Sequence, residues 1–327
     1  MDQLFEIGRK TFDTPEFRGI TFIESEAKSI INRVPGNFLP FDWTINPYRG
    51  CSHACIYCFA RPTHTYLDMN AGRDFETKIV VKVNAPEVLR RELAAKRWKG
   101  EHIAMGTGTD PYQRAEGRYR LMRGILEALV DHRNPFSILT KGTLILRDLD
   151  LLERAAEVAP VSAAFSIGTL DEQVWRETEP GTPHPRARIE AIRTLTDAGI
   201  PAGVLMAPIL PGISDRPDQL REVVEAAIDA GATHVSPILL HLRPGVREEF
   251  LPWLEEHHPD LLDRYLAMYR HPYGPKRDRD DLGRTVASMV AQVGGPKRAA
   301  PRVERYRHRG VTEAKPGAER GDQLRLL

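Results

Sequence analysis

Residues 46–61 read NPYRGCSHACIYCFAR, and all three cysteines of the 327-residue chain, Cys51, Cys55 and Cys58, fall inside this stretch. Their CxxxCxxC spacing makes a loop compact enough to turn three thiolates toward one face of a cubane iron–sulfur cluster, leaving one iron without a protein ligand. An open iron is where chemistry occurs. Gly50 lets the chain turn tightly before the first cysteine, and Tyr57, just ahead of the last, is placed to lie against a flat ligand bound at the cluster. Two other uses of the same thiolates stand beside this one. A structural zinc would add His53 or His64 as fourth ligand. An electron-transfer cluster would normally add a fourth cysteine, which the chain does not have.

An odd number of cysteines packed into eight residues argues for ligation in a reducing compartment, not for the disulfide framework of a secreted domain. No apolar run approaches the ~20 residues needed to span a bilayer. The N-terminal MDQLFEIGRK has no apolar signal region, so a cytoplasmic protein with no membrane association is expected. With 41% hydrophobic and 28% charged residues, the chain buries one large core. The formal charge of +1 hides an asymmetry: residues 295–327 carry nine Lys or Arg against four Asp or Glu, leaving 37 against 41 elsewhere. Such a tail suits solvated disorder first and local contact with nucleic acid second.

From Trp43 onward, short β-rich runs alternate with amphipathic helical stretches, the pattern of βα units on a largely parallel sheet. The candidate strands are 42–47, 79–83, 102–106, 136–140, 161–167, 202–209 and 234–240. Leu121, Met122, Ile125, Leu126 and Leu129 recur at three- and four-residue steps and line one helix face, as do Leu220, Val223, Val224, Ala227 and Ile228. Gly199 and Gly231 sit where C-terminal caps belong. The expected organisation is an N-terminal extension without periodicity over 1–40, a core over 41–245 and a helical region over 246–294, followed by a mobile basic tail over 295–327. Within the helical region, 246–256, 259–270 and 281–293 are the candidate helices.

The motif resembles the radical S-adenosylmethionine superfamily, whose signature is CxxxCxΦC with an aromatic residue before the third cysteine: here Cys51, Cys55, Tyr57 and Cys58. More narrowly, it is followed by DFETKIVVKVNAPEVLRREL, GTGTDPYQ, ILTKG and APILPGISD. Together these are similar to the spore photoproduct lyase-like, or DNA repair photolyase-like, branch over about residues 41–245. The resemblance implies an α/β fold, a partial (β/α)6 TIM-like barrel of the radical SAM type with a helical C-terminal region and a disordered tail. It implies a 4Fe-4S cluster on Cys51, Cys55 and Cys58, the metal ligands and catalytic centre, with S-adenosylmethionine chelating the open iron. One electron then splits the sulfonium bond into methionine and a 5′-deoxyadenosyl radical that abstracts hydrogen from substrate. The implied partner is an electron donor such as flavodoxin or ferredoxin. Nucleic acid, a peptide and a small metabolite are all admitted as substrate.

Catalytic groups of such barrels collect at the C-terminal strand ends. By resemblance, Gly106, Thr107, Thr109 and Asp110 are candidates to receive the methionyl amine. Lys141 and Ser166 would address the carboxylate or ribose, and backbone near Met206 and Ala207 would meet adenine. Arg186 and Arg188 are expected on a solvated helix face, with contact to the cofactor carboxylate as the alternative. His53 and His64 are expected as exposed loop histidines, with tuning of the cluster's potential or solvent access as their other use, and Tyr112 as aromatic packing above the cluster, with a phenolic hydrogen donor as its other use.

Spore photoproduct lyases carry a further cysteine near the second strand that returns hydrogen to the product radical. Here that stretch reads Met105-Gly106-Thr107-Gly108-Thr109, and a hydroxyl hydrogen is a much poorer donor than a thiol hydrogen. Thymine-dimer repair by that route is therefore not expected. The competing function is a non-catalytic iron–sulfur or zinc-binding module that mediates partner interactions.

Overall fold

The computed structural model describes residues 4–36 and 39–296. In chain order its strands are β1 (Leu4–Thr11), β2 (Thr21–Ala27), β3 (Ile31–Arg33), β4 (Trp43–Ile45), β5 (Tyr48–Arg49), β6 (Lys78–Lys82), β7 (Ile103–Met105), β8 (Phe136–Thr140), β9 (Val161–Ser166), β10 (Ala202–Ile209) and β11 (Val235–Leu239). Six of them run parallel in the order β4, β7, β8, β9, β10, β11, with β3 antiparallel on the β4 edge. The sheet ends at β3 and β11 without closing, so it is the partial (β/α)6 barrel expected from the sequence. Pairing of Trp43 with Ile103, Ile103 with Phe136 and Phe136 with Val161 aligns the strands, and their C-terminal ends form one rim.

The helices cover this sheet with the faces the sequence marks. Leu121, Met122, Ile125, Leu126 and Leu129 are all buried on the helix Leu121–Asp131. The helix Pro217–Asp229 ends on Gly231 at φ +85, where Gly231 N donates to Ile228 O and Ala232 N to Ala227 O. That double bond closes the helix only if the capping residue adopts a left-handed angle, which glycine does without a Cβ penalty. Gly199 repeats the arrangement after Pro185–Asp197.

Two expectations are corrected. The strand at 79–83 is not a barrel strand: β6 pairs parallel with β2 and antiparallel with β5 in a separate four-stranded sheet, β1-β2-β6-β5. Residues within 1–40 therefore contribute regular structure that their irregular pattern conceals. β1 is an exposed hairpin strand paired on one side only, so it shows little alternation of burial. Phe12, Phe17 and Phe22 pack ring to ring, and Phe22 continues onto Tyr119, tying the hairpin to the barrel.

The stretches 246–256 and 259–270 appear as Arg247–His257 and as a 3-10 turn followed by Leu262–Met268. The last helix, Lys276–Gln292, begins before the expected 281 and packs next to the edge strand β11. The predicted tail lies, from residue 297 on, outside the described residues. Among the described residues no helix is long and apolar enough to cross a membrane.

Candidate active site

β5 delivers the chain to Gly50 at φ +81, and Cys51 N then donates to Phe75 O at 2.9 Å. A Cβ on Gly50 would lie 2.7 Å from His64 Cε1 and 2.9 Å from Phe75 O, so both angle and space require glycine. The cysteine loop that follows is braced from two sides. Thr109 Oγ1 and Gln113 Nε2 donate to Gly50 O at 2.7 and 2.9 Å, while Ser52 N donates to Gln113 Oε1 at 2.9 Å. From the other side Ile56 N donates to Thr178 O and Gly181 N to His53 O. Strand ends far apart in sequence thus fix where the thiols point.

All three cysteines are free; Cys51 and Cys55 are buried and Cys58 is half-buried. Burial pushes the Cys55 thiol up to about 12, opposed by the Lys141 charge. Burial also raises Cys51 well above its ordinary value, reinforced by Asp110, Cys58 and Cys55. Thiolate is the form that binds iron, so loading a cluster here would release those protons. Among the described residues no three His, Cys, Asp or Glu side chains gather as one metal ion requires. A cubane does not require it, because each thiolate takes a different iron. Each histidine proposed for zinc has one ring nitrogen bonded to protein, His53 Nδ1 lying 3.3 Å from Asp110 Oδ2 and His64 Nε2 2.9 Å from Lys78 O, while His64 Nδ1 is buried without a partner. Both are buried, contrary to the exposed loop positions expected. Ser52 Oγ, beside Cys51, is buried without a protein partner and leaves a polar atom for a bound group. The donors present fit a 4Fe-4S cluster.

Tyr57, Lys141, Ser166 and Ala207 come together as the sequence reading grouped them. Lys141 Nζ donates to Ser166 Oγ at 2.7 Å, and Ser166 Oγ donates to Ala207 O at 2.7 Å. Lys141 Nζ also lies 5.5 Å from the Tyr57 ring centroid. Tyr57 and Lys141 meet at Glu179, which sequence reasoning missed. The Tyr57 hydroxyl donates to Glu179 Oε1, Arg188 holds Oε2 at 2.5 Å, and Lys141 Nζ is 4.0 Å from Oε1. Burial works to raise the Glu179 carboxyl. The Arg188 and Lys141 charges, with hydrogen bonds from Tyr57 and Arg188, outweigh it and hold the group below its ordinary value. Arg188 is the one correction among the arginines: it is buried, donating to Ser166 O, Thr182 Oγ1 and Pro183 O, whereas Arg186 stays on the surface with Glu222. The Pro-rich loop between Glu179 and Arg188 was the available signal, since it returns the chain over the cysteine loop.

The segment after β7 behaves differently. Gly106 has φ +90, and a Cβ there would meet Leu139 O at 1.8 Å. Thr107 Oγ1 sits 2.5 Å from Thr44 Oγ1, and Thr109 braces Gly50. Asp110 accepts from Thr140 Oγ1 at 2.6 Å, Lys141 N at 2.6 Å and Tyr112 N at 2.8 Å. Burial acts to raise Asp110, but His53 and these hydrogen bonds bring it down to about 2. The Tyr112 hydroxyl is turned to Asp148 Oδ2 at 3.2 Å, away from the thiols' loop. A cavity opens beside this arrangement, lined by His53, Tyr112, Gly142, Thr143, Thr182 and Pro183, so four rim loops meet around it.

Comparison with known proteins agrees with this geometry. The sequence profile of the Radical SAM superfamily matches residues 45–227. An uncharacterised protein of Mycobacterium tuberculosis is 49% identical over 291 residues, covering 88% of this chain and 86% of the relative. A radical SAM Nα-GlyT isomerase of Pseudomonas phage M6 is 28% identical over 194 residues, covering 58% of this chain and 37% of that protein. Among solved structures, spore photoproduct lyase complexed with dinucleoside spore photoproduct matches with a TM-score of 0.62 at 16% identity, over 86% of this chain and 83% of that one, a likeness of fold. With the cysteine loop at the rim of a parallel partial barrel and the profile spanning more than half its length, the chain belongs to the radical SAM superfamily and performs S-adenosylmethionine-dependent radical chemistry.

Proposed function

We propose that the chain holds a 4Fe-4S cluster on Cys51, Cys55 and Cys58 and, with S-adenosylmethionine at the open iron, abstracts hydrogen from a nucleoside-containing substrate. The observation that carries this reading is the meeting of the thiol loop with Tyr57, Lys141, Ser166 and Glu179 at the C-terminal rim of the strands, where βα loops concentrate reacting groups. The chemistry supplied by these cofactors when bound is one-electron cleavage of the sulfonium bond, yielding methionine and a 5′-deoxyadenosyl radical.

The protein's own groups bind and orient. Lys141 would offer its ammonium to the cofactor carboxylate; Ser166, whose one hydroxyl hydrogen goes to Ala207 O, would accept from a ribose hydroxyl, and the backbone at Met206 and Ala207 would meet adenine. The Gly106–Asp110 backbone receives the methionyl amine. Thr109 and Asp110 act through their hydroxyl and carboxylate on the loops around them, because those atoms already bind protein. Glu179 fixes Tyr57, Lys141 and Arg188 in one arrangement, so that little is reorganised when the cofactor arrives. Residues 41–245 form the catalytic core, 246–294 a helical region against it, and the basic 295–327 segment a further contact for nucleic acid. An electron donor such as flavodoxin or ferredoxin and a cytoplasmic location complete the reading.

A nucleoside is favoured because the fold match includes a lyase holding a dinucleoside spore photoproduct. Hydrogen return by a thiol of this chain is unavailable, since no cysteine lies outside the cluster loop. Anoxic reconstitution tests the first half: iron and sulfide in cubane proportion, a spectrum perturbed by S-adenosylmethionine, and 5′-deoxyadenosine formed with dithionite are expected. No iron, or a spectrum indifferent to S-adenosylmethionine, overturns it. Deuterium carried into 5′-deoxyadenosine from labelled oligonucleotides supports the substrate class, and transfer from labelled peptides alone refutes it.

A further inference from the structure

The 3-10 helix Arg61–Leu67 follows the cysteine loop, and its first side chain, Arg61, is wholly buried. Every guanidinium donor has an acceptor. Nε and Nη2 reach Cys55 O at 3.2 and 2.9 Å, and Nη1 reaches Ala71 O and Gly72 O, both at 3.2 Å. Nη2 also pairs with Glu76 Oε1. The Arg61 backbone N donates to Cys58 O at 3.3 Å, and the guanidinium carbon stands 5.5 Å from the Phe75 ring centroid. An arginine is costly to bury unless its donors are satisfied, and here the fork grips the carbonyl of the middle cysteine.

We propose that Arg61 is a positioning residue for the cluster and the buried charge that sets its reduction potential; this rests on the assignment of Cys51, Cys55 and Cys58 as ligands. Cluster potentials follow nearby net charge, hydrogen bonding and solvent exposure. Reduction adds one electron from the reductant and lowers the cluster's charge by one, with no proton exchanged at Arg61. A desolvated cation beside the ligand loop therefore stabilises the reduced form more than the oxidised form and raises the potential. Glu76, with its side chain 29% exposed, pairs with the same Nη2 that reaches Cys55 O and partly offsets that charge.

The test is an EPR-monitored redox titration of the reconstituted protein, with iron content measured in parallel. Arg61→Gln is expected to lower the midpoint and Glu76→Gln to raise it, each changing the oxidised-to-reduced ratio at fixed potential by tenfold, about 59 mV for a one-electron couple. Arg61→Lys keeps the charge and loses the fork, so its midpoint stays near wild type while iron is lost faster to a chelator. If Arg61→Gln does not fold, Glu76→Gln decides the matter, because its site is partly open to solvent. An unmoved midpoint in Glu76→Gln, or a raised one in Arg61→Gln, overturns the proposal. Wild-type protein that assembles no cluster refutes the ligand assignment beneath it; a wild-type cluster whose midpoint ignores both substitutions refutes the role of Arg61 alone.

Discussion

Arg188 Nη2 lies 2.5 Å from Glu179 Oε2, an ion pair in which both side chains are almost fully withdrawn from water. Such a pair is stable because its remaining groups are also bonded: Glu179 receives the Tyr57 hydroxyl, and Arg188 reaches Ser166 O, Thr182 Oγ1 and Pro183 O. The consequence is a rigid floor next to Cys55. Replacing Arg188 by Met strands a buried carboxylate and is expected to cost about 3–5 kcal/mol of unfolding free energy. Urea denaturation of the apoprotein measures it, and coincident curves for wild type and variant would contradict the account.

Lys141 and Ser166 are one hydrogen bond apart but carry different charge, so their loss separates into two magnitudes. Removing a charged donor costs about 1.5–3 kcal/mol and a neutral one about 0.5–1.5 kcal/mol. Lys141→Ala is therefore expected to weaken S-adenosylmethionine binding by roughly tenfold or more, and Ser166→Ala by several-fold. Calorimetric titration of reconstituted variants reads both directly; unchanged affinity in Lys141→Ala removes the lysine from the cofactor site.

Gly106 and Gly108 lie in one loop under different constraints. A Cβ at Gly106 would meet Leu139 O at 1.8 Å on a backbone at φ +90, whereas at Gly108 it would stand 3.3 Å from Asn46 Oδ1. Gly106→Ala must displace β8 backbone and adopt a strained angle, a loss on the order of 1–3 kcal/mol or more. Gly108→Ala asks only a side chain to yield. Thermal melts should rank Gly106→Ala clearly below Gly108→Ala, and the reverse order would show that the loop relaxes.

Asp110 gives the fold an acid-sensitive strut. Its carboxyl is held at about 2 in the folded protein, below its ordinary 3.8, because His53, Lys141 N and Thr140 outweigh the effect of burial. A depressed carboxyl contributes stability that is complete above the unfolded value and lost as pH falls through the folded one. The contribution, on the order of 2 kcal/mol, should be present at pH 5 and fade toward pH 2. Unfolding of wild type and Asp110→Asn compared at pH 5, 4 and 3 should converge; a constant gap across that range would assign the loss to geometry.

Each cysteine occupies a different place in the loop, yet a cubane needs all three. Cys51→Ala, Cys55→Ala and Cys58→Ala should each lose most cluster iron and reduce 5′-deoxyadenosine formation to background. Cys58 is the most exposed, so its site is where water or an exogenous thiol would most readily substitute. Partial recovery of iron with added thiol in Cys58→Ala alone is the expected pattern, and equal recovery at Cys51 and Cys55 would contradict their burial.

Ligand spacing, helix faces and glycine caps are local properties, which is why the sequence by itself determined the thiol loop, the barrel class, the buried face of Leu121–Asp131 and the turns at Gly199 and Gly231. Lys141 and Ser166 were legible too, because they end strands whose order along the chain is their order in the sheet. Only the tertiary structure decided that β6 leaves the barrel for a sheet with β2, that His53 and Arg188 are buried, and that Glu179 joins Tyr57 across 122 residues. Arg61 ends the quoted cysteine motif, and only the fold closes Cys55, Gly72 and Glu76 around it. Periodicity records which face of an element is apolar, not which polar atoms from distant elements will meet. That pairing is fixed only when the strands assemble and burial obliges every donor to find an acceptor.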